Sequence, residues 1–190
     1  MKAHLALLLV ALVCGAGCAS HPGARVRGDV KVFEREQSVE RLVQRGSAFA
    51  DVGDTTRAQQ YLEAALESGA KEADVVPMLV SVCVRDGRYR LAVEYARRYL
   101  SREPGDGRMH FVLGTLYAGL GETNDAEREF ELAIVAQRDN PELQYSLAVL
   151  MRDQKDDFLA ADLHFREYLR LAPAGDHAEE ARAAMLQSVR

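Results

Sequence analysis

Residues 107–140 read GRMHFVLGTLYAGLGETNDAEREFELAIVAQRDN, and this stretch predicts two consecutive helices. Apolar or small residues recur every three or four positions, as they do on the buried face of a helix. They are Leu113, Leu116, Tyr117 and Leu120 in the first half, and Ala126, Phe130, Ala133 and Ile134 in the second. Gly121 supplies a turn between the halves, and Thr123 with Asn124 can cap the second helix. The stretch therefore predicts a helical hairpin.

The same pattern returns at a fixed period on both sides of this stretch. Leu79, Gly87 and Ala92 stand one period before Leu113, Gly121 and Ala126. The copies run over 39–72, 73–106, 107–140 and 141–175, and the last carries one extra residue in its turn at 155–158. One hairpin cannot bury its apolar face alone, so the copies are expected to stack.

This pattern resembles the tetratricopeptide repeat, a family motif of about 34 residues with Leu-Gly, Tyr, Gly, Ala, Phe and Ala at fixed places. The resemblance implies an all-α fold, a right-handed α-solenoid of four helical hairpins with the first helices lining a concave face. We expect residues 29–38 to form an N-terminal helical extension and 176–190 a capping helix. Asp176 is predicted to cap that helix, which would run from His177 to about Ser188.

The second copy begins with an unusual arrangement of an acid and a proline. Asp74 can cap the helix, and Pro77 then falls in its first turn, where a missing N–H does little harm. We therefore predict that this helix starts after Asp74.

The chain begins MKAHLALLLVALVCGAGCAS. Its apolar run, residues 5–13, would span only roughly 14 Å as a helix, which is under half of a bilayer core. The run after Lys2 predicts an export signal, and Ala16-Gly17-Cys18 resembles the end of a bacterial lipoprotein signal. The resemblance implies cleavage of 1–17 and lipidation of Cys18. Glycine, proline and the lack of an apolar period predict a flexible tether over 18–28. The alternative is an ordinary secretory signal.

The lipoprotein resemblance also implies a location. Ala19, rather than aspartate, follows the lipidated cysteine, and in that family this favours the outer membrane. We expect a protein of the bacterial cell envelope that is held on the membrane through its N-terminal lipid and faces the periplasm.

Catalytic and cofactor motifs are absent from the sequence. It contains no Gly-x-Ser-x-Gly, phosphate loop or dinucleotide fingerprint, and its histidines lack metal-ligand spacing. His110 is interpreted as a residue of the core edge, His164 as solvated and Cys83 as a small core residue. The net charge of −5 disfavours a nucleic-acid partner. We expect no enzyme activity, no metal, no cofactor and no small-molecule substrate.

Family members bind protein segments along the concave face, so the same helix positions predict a binding surface in this chain. We call these nine residues the groove: Met78, Ser81, Arg85, Arg108, Phe111, Thr115, Tyr145, Val149 and Arg152. Aromatic, aliphatic and arginine side chains suit a peptide segment or a partner helix.

The expected function is a non-catalytic protein-interaction adaptor of the envelope. The order of segments in this chain, a lipoprotein-like signal followed by a small repeat domain, is similar to that of small tetratricopeptide lipoproteins. Examples are the pilotins that assist secretins of type IV pili. The alternatives are a scaffold for outer-membrane barrel assembly or for cell-wall enzymes and, with less support, a lipoprotein enzyme.

Overall fold

A computed structural model describes residues 38–185, which contain nine helices and no strand. Helix α1 covers 38–51 of the described residues. The others are α2 Thr55–Glu67, α3 Glu72–Arg85, α4 Tyr89–Leu100, α5 Gly107–Gly119, α6 Thr123–Ala136, α7 Pro141–Gln154, α8 Phe158–Leu171 and α9 Ala178–Ala184. The predicted signal, the tether and the extension up to residue 37 lie outside the described residues. Within 38–185, no helix combines the length and apolar character that a membrane span requires.

Each helix from α2 to α8 packs against the next helix in the chain. A smaller core lies between α2 and α3 and contains Ala58, Leu62, Val75, Leu79 and Val82. A larger core runs through the later helices, from Val76 on α3 to Ala181 on α9. The prediction of an all-α solenoid of four hairpins with a terminal helix is confirmed.

Close contact between the two helices of a hairpin explains the small residues at fixed positions. A Cβ added to Gly114 would lie 2.7 Å from Phe130 Cδ1 and 3.2 Å from the Ala126 carbonyl oxygen. A Cβ on Gly46, two copies earlier, would lie 2.7 Å from Leu62 Cγ. The first and third copies therefore use glycine where the backbone of one helix meets a large side chain of the other.

Left-handed backbone makes the turns inside the hairpins. Gly53, Gly87 and Gly121 occupy the same position in successive copies and have φ of +80°, +70° and +74°. Glycine adopts these angles without the steric cost that a Cβ brings. In the fourth copy the extra residue shifts this position to Asp156, with φ of +54°.

Three predicted caps are wrong. Neither Thr123 nor Asn124 caps α6, which begins at Thr123 itself after Glu122, without a side-chain cap. Helix α3 begins at Glu72, not after Asp74, and the residue before it, Lys71, makes no side-chain cap. Pro77 therefore lies in the second turn, inside the helix. Helix α9 begins at Ala178 after His177, without a cap from Asp176. A side-chain cap does form at the start of α7, where the N–H of Glu142 donates to Asn140 Oδ1 over 3.2 Å.

The terminal helix is also shorter than predicted. Helix α9 ends at Ala184, and the next residue, Met185, has extended backbone with φ −63° and ψ 141°. The predicted end near Ser188 lies outside the described residues. The two buried alanines of α9, Ala178 and Ala181, nevertheless join the larger core, so the short helix covers the last hairpin.

Candidate functional site

The groove residues lie on the first helices of the second, third and fourth hairpins. Helix α3 carries the first three of them, α5 the next three and α7 the last three. Ser81, Thr115 and Val149 occupy equivalent positions in the three copies. Because these three side chains are small, they leave the space above their helices open between the larger groove residues.

The middle of the groove is exposed to solvent. Ser81, Arg108 and Thr115 are exposed. Thr115 Oγ1 donates to the carbonyl of Phe111 over 2.9 Å, so its hydroxyl is turned back onto its own helix. The Arg108 side chain makes no hydrogen bond or ion pair with any residue between 38 and 185. Arg108 is therefore available to a bound segment.

The apolar members of the groove are only half-buried. Met78 packs against the smaller core, and Phe111, Tyr145 and Val149 pack against the larger one. The ring centroid of Phe111 lies 5.8 Å from that of Phe130. These side chains rest on the core with one side and present the other to solvent, as binding anchors do.

Arg85 was expected to face a partner, but its side chain binds within the chain. Its Nη1 donates to the carbonyl oxygen of Ala50 at the end of α1. The Ala50 carbonyl also accepts from the N–H of Gly53 over 3.1 Å, so Arg85 adds a second donor to it and lies near the negative end of the helix dipole. Arg85 joins the first two hairpins while its side chain stays exposed.

The α7 end of the groove already holds a segment of the chain itself. The Tyr145 hydroxyl donates to Glu180 Oε2 over 2.6 Å, and Arg152 Nη1 and Nη2 donate to Glu180 Oε1 over 3.2 Å. The imidazole of His177 stacks on the Tyr145 ring, with centroids 3.9 Å apart and planes 10° from parallel. Two groove residues thereby bind helix α9 and the residue before it. We call Tyr145, Arg152, His177 and Glu180 together the clasp.

Hydrogen bonding and burial set the charge states in this clasp. Burial, then the hydrogen bond to Glu180, raises the pKa of Tyr145 to about 12, so the phenol keeps its proton and donates. The hydrogen bond from Tyr145, followed by those from Arg152, lowers the pKa of Glu180 below its ordinary value of 4.5. The hydrogen bond to Asp153 is the largest influence that raises the pKa of Arg152, and the hydrogen bond to Glu180 raises it further. The clasp is therefore a charged carboxylate held by a phenol and a guanidinium.

A lower pH should weaken the docking of α9, because it protonates the Glu180 carboxylate. Because the pKa of Glu180 is lower in the folded chain, its stabilisation is complete above pH 4.5 and is lost as the pH falls below that value. Glu180 is half-exposed, so we expect less than about 1 kcal/mol. Hydrogen exchange of the α9 amides, corrected for intrinsic rates, should speed up between pH 5 and 3. Glu180→Gln should remove this pH dependence, and an unchanged dependence in that variant would contradict the assignment.

Two polar pairs between the helices of a hairpin were missed by the sequence reasoning. His110 Nδ1 lies 2.7 Å from Glu129 Oε2 and its Nε2 lies 3.1 Å from the Pro104 carbonyl oxygen. One copy later, His164 Nδ1 lies 2.8 Å from Gln144 Oε1. The pairs occupy equivalent positions, where the second copy carries Val76 and Tyr95. The second copy cannot form such a pair because it carries Val76. The change to two polar residues in the later copies was the sequence signal that could have revealed the pairs.

The burial and hydrogen bonding of these pairs test the interpretations of His110 as a residue of the core edge and of His164 as solvated. His110 is 6% exposed and Glu129 is 8% exposed, so His110 lies in the core with a buried partner. His164 is half-buried and hydrogen-bonded, so its interpretation as a solvated residue is wrong. Burial lowers the pKa of His164.

Cys83 and the acidic residues offer little chemistry. Cys83 is fully buried, as predicted, and burial raises the pKa of its thiol, which makes the reactive thiolate scarce. Across 38–185, no three side chains of His, Cys, Asp or Glu come together in a way that could hold a metal ion.

Comparisons with solved structures support the fold. A tetratricopeptide repeat protein from Parabacteroides merdae is 24% identical with a TM-score of 0.71, and the match covers 78% of this chain but only 59% of that one. YrrB, described as a TPR protein with an unusual peptide-binding site, is 19% identical with a TM-score of 0.66, over 84% of this chain and 88% of that one. MamA of Desulfovibrio magneticus, from residue 41 to its end, is 23% identical with a TM-score of 0.64, over 73% and 77%.

The sequence itself carries the family assignment. Two tetratricopeptide repeat models match it, one over residues 43–106 and one over 83–150. A comparison with curated proteins found no match. The two matched ranges together cover more than half of the chain and coincide with the stacked hairpins from α1 to α7. This chain belongs to the tetratricopeptide repeat family.

Proposed function

We propose that the protein is a non-catalytic adaptor that holds a segment of another protein in the groove. The observation that carries this proposal is the clasp at Tyr145 and Arg152. These groove residues bind a helix through a stacked ring, a phenol hydrogen bond and an ion pair. Equivalent surface on α5 and α3 stays open, so a partner segment could continue along the row that α9 begins.

The composition of the groove suits an extended peptide or an amphipathic helix. Half-buried Phe111 and Val149 offer apolar anchor points. Exposed Arg108 can pair with an acidic residue of the partner. The similar protein YrrB is described as having a peptide-binding site, which agrees with this use of the fold.

We further propose that the adaptor works in the bacterial envelope, anchored through a lipid on Cys18. The signal-like start of the sequence supports this, together with the tether that separates it from the repeats. Several acyl chains, each stabilised by about 0.8 kcal/mol per buried CH₂, would hold a domain of this size on a membrane.

Cys18→Ala should release the protein from the membrane. Without the sulfur there is no attachment point for the diacylglycerol, so most of the protein should move to the soluble periplasmic fraction. Fractionation followed by immunoblotting measures this, with Cys83→Ala as the matched cysteine control that keeps the anchor. A Cys18→Ala protein that still fractionates with membranes as the unaltered chain does would contradict lipid anchoring.

The partner we favour is an outer-membrane machine such as a secretin of a type IV pilus, in which the protein would act in the manner of a pilotin. The plan of the chain supports this version, because it combines a lipoprotein-like signal, a short tether and a small repeat domain. Barrel-assembly factors and cell-wall enzymes are the alternative partners.

Crosslinking in living cells, followed by purification of the tagged protein and mass spectrometry, tests the proposal. Recovery of secretin subunits supports the pilotin version. Recovery of only barrel-assembly factors or cell-wall enzymes rejects that version and supports the envelope scaffold. If substitutions in the groove abolish a measured turnover and leave protein capture intact, the protein is an enzyme and not an adaptor.

A further inference from the structure

Helix α8 presents two leucines to solvent on one face. Leu159 is 73% exposed and Leu163 is 68% exposed, and they lie one helical turn apart. Phe158, next to Leu159, is 53% exposed. Among the large apolar side chains of residues 38–185, only Val52 is more exposed than the two leucines. Single exposed apolar side chains are ordinary, but two on the same face of a helix form a patch.

The position of Leu159 meets the next hairpin in the earlier copies. At the equivalent position of α4, Arg90 Nη1 donates to Glu122 Oε1 over 2.8 Å. At the equivalent position of α6, Asn124 Oδ1 accepts from Lys155 Nζ over 3.3 Å. Leu159 therefore lies on the face with which a second helix contacts the hairpin that follows it.

On α8 this face differs in chemistry from the same face of the earlier second helices. The residues equivalent to Leu163 are Gln60, Glu94 and Arg128, all of them polar. Within 38–185, α9 is the last helix, and no further second helix covers α8. The end of a repeat array normally carries a polar outer face that keeps it soluble. The leucines reverse this rule, so the face suits contact with another apolar surface.

Charge is distributed unevenly along α8 and the turn before it. Residues 156–163 contain three acids, Asp156, Asp157 and Asp162, and no base. Residues 164–171 contain two arginines, Arg166 and Arg170, and one glutamate. The leucines lie between the acidic end and the basic end. An antiparallel copy of this helix would therefore place its basic end opposite the acidic end of the first.

The charged side chains also form pairs within the chain. Arg166 Nε donates to Asp162 over 2.7 Å, and Arg170 Nε donates to Glu167 over 2.8 Å. Lys155, beside the acidic end, binds α6. Exposed pairs within one helix contribute little free energy, so they do not prevent the arginines from attracting acids of a second molecule.

We infer that this face of α8 binds the same face of a second copy of the chain, with the two helices antiparallel. Leu159 of each copy then packs on Leu163 of the other, and Asp156 of each lies opposite Arg166 of the other. Such a twofold contact satisfies both patches at once. The area of one helix face is below the about 800 Å² per partner of a stable complex, so we expect a dimer that exchanges readily. The inference relies on neither the groove nor the membrane anchor.

Photocrosslinking of the complete chain in cells tests the inference. Two forms with different affinity tags are produced together, and a photoreactive phenylalanine analogue replaces Leu163 in one of them. We expect an adduct that carries both tags. Mass spectrometry should place the crosslink within residues 156–161 of the second form, as the antiparallel arrangement requires.

Two variants and a matched control address the contact itself. Leu159→Asn in both forms introduces the residue of the third copy, Asn124, and should reduce the adduct at least fivefold without changing the melting temperature. Asp156→Asn removes a charge and keeps a residue type that tolerates the positive φ, and should reduce the adduct about threefold. Leu132→Asn, at an exposed leucine of α6, should leave the adduct unchanged.

Several outcomes would overturn the inference. Adducts only with other proteins would show that α8 binds a different partner. Crosslinks only to residues 186–190 of the same molecule would show that the chain covers its own patch. The absence of any adduct with both tags, a crosslink centred on residue 163 of the second form, or an equal loss in Leu132→Asn would each reject the antiparallel contact.

Discussion

Arginine at both Ser81 and Thr115 should reduce capture of the partner by a factor of about 30 or more. The two exposed positions lie on adjacent first helices, where their small side chains leave the groove open. Two long charged side chains would occupy that space and keep the partner from Phe111 and Val149. Loss of contacts at the centre of an interface commonly costs about 2 kcal/mol or more, which corresponds to this factor. The crosslinked partner recovered per molecule of adaptor is the measurement.

Exposed positions are chosen because the aromatic groove residues also support the fold. Removal of Tyr145 would break the clasp of α9, and removal of Phe111 would take away a ring packed near Phe130. The control is Thr56→Arg with Gln60→Arg on α2, which adds the same charge at exposed positions of a second helix. Capture should survive in the control. Equal loss in both double variants would assign the effect to charge, and no loss in either would place the partner elsewhere.

Gly114→Leu should destabilise the protein by about 2 kcal/mol or more. Even the first added carbon would lie 2.7 Å from the Phe130 ring and 3.2 Å from the Ala126 carbonyl oxygen, so α5 and α6 would have to separate. For a chain of this length the melting temperature should fall by about 4–8 °C. Thermal unfolding followed by circular dichroism is the measurement.

The matched control is Gly119→Leu at the end of the same helix. A Cβ at Gly119 meets no atom within 4 Å, and glycine is a poor helix former. This variant should therefore be as stable as the unaltered chain or slightly more stable. If both leucine variants melt at the same temperature, the close approach of α5 and α6 at Gly114 is not what stabilises the third hairpin.

Most of the fold could be predicted because the determinants of a hairpin are local and recur. Gly114 and Phe130 must fit each other whatever lies elsewhere, and Gly121 must turn the chain. The start of α3 could not be predicted in the same way. Helix α3 starts at Glu72 without a side-chain cap and keeps Pro77 in its interior, while its apolar residues Val75 and Val76 are buried. Tertiary packing thus prevailed over the capping preference of Asp74.

The groove that we propose as a binding surface follows from the sequence only in outline. Position within the repeat is enough to name Ser81 and Thr115 as groove residues, because the first helix recurs once in every copy. It does not reveal that Glu180 binds Tyr145 and Arg152, since this requires knowing where α9 docks. The contact of His110 with Glu129 likewise depends on the register between two helices.

Site-specific photocrosslinking tests whether the groove holds the partner. A photoreactive phenylalanine analogue is placed at Thr115, in the groove, or at Gln60, on the exposed side of α2, and cells are irradiated. We predict a discrete adduct from Thr115, absent when Ser81 is replaced by arginine, and none from Gln60. An adduct from Gln60 with none from Thr115 would contradict a partner held along the first helices.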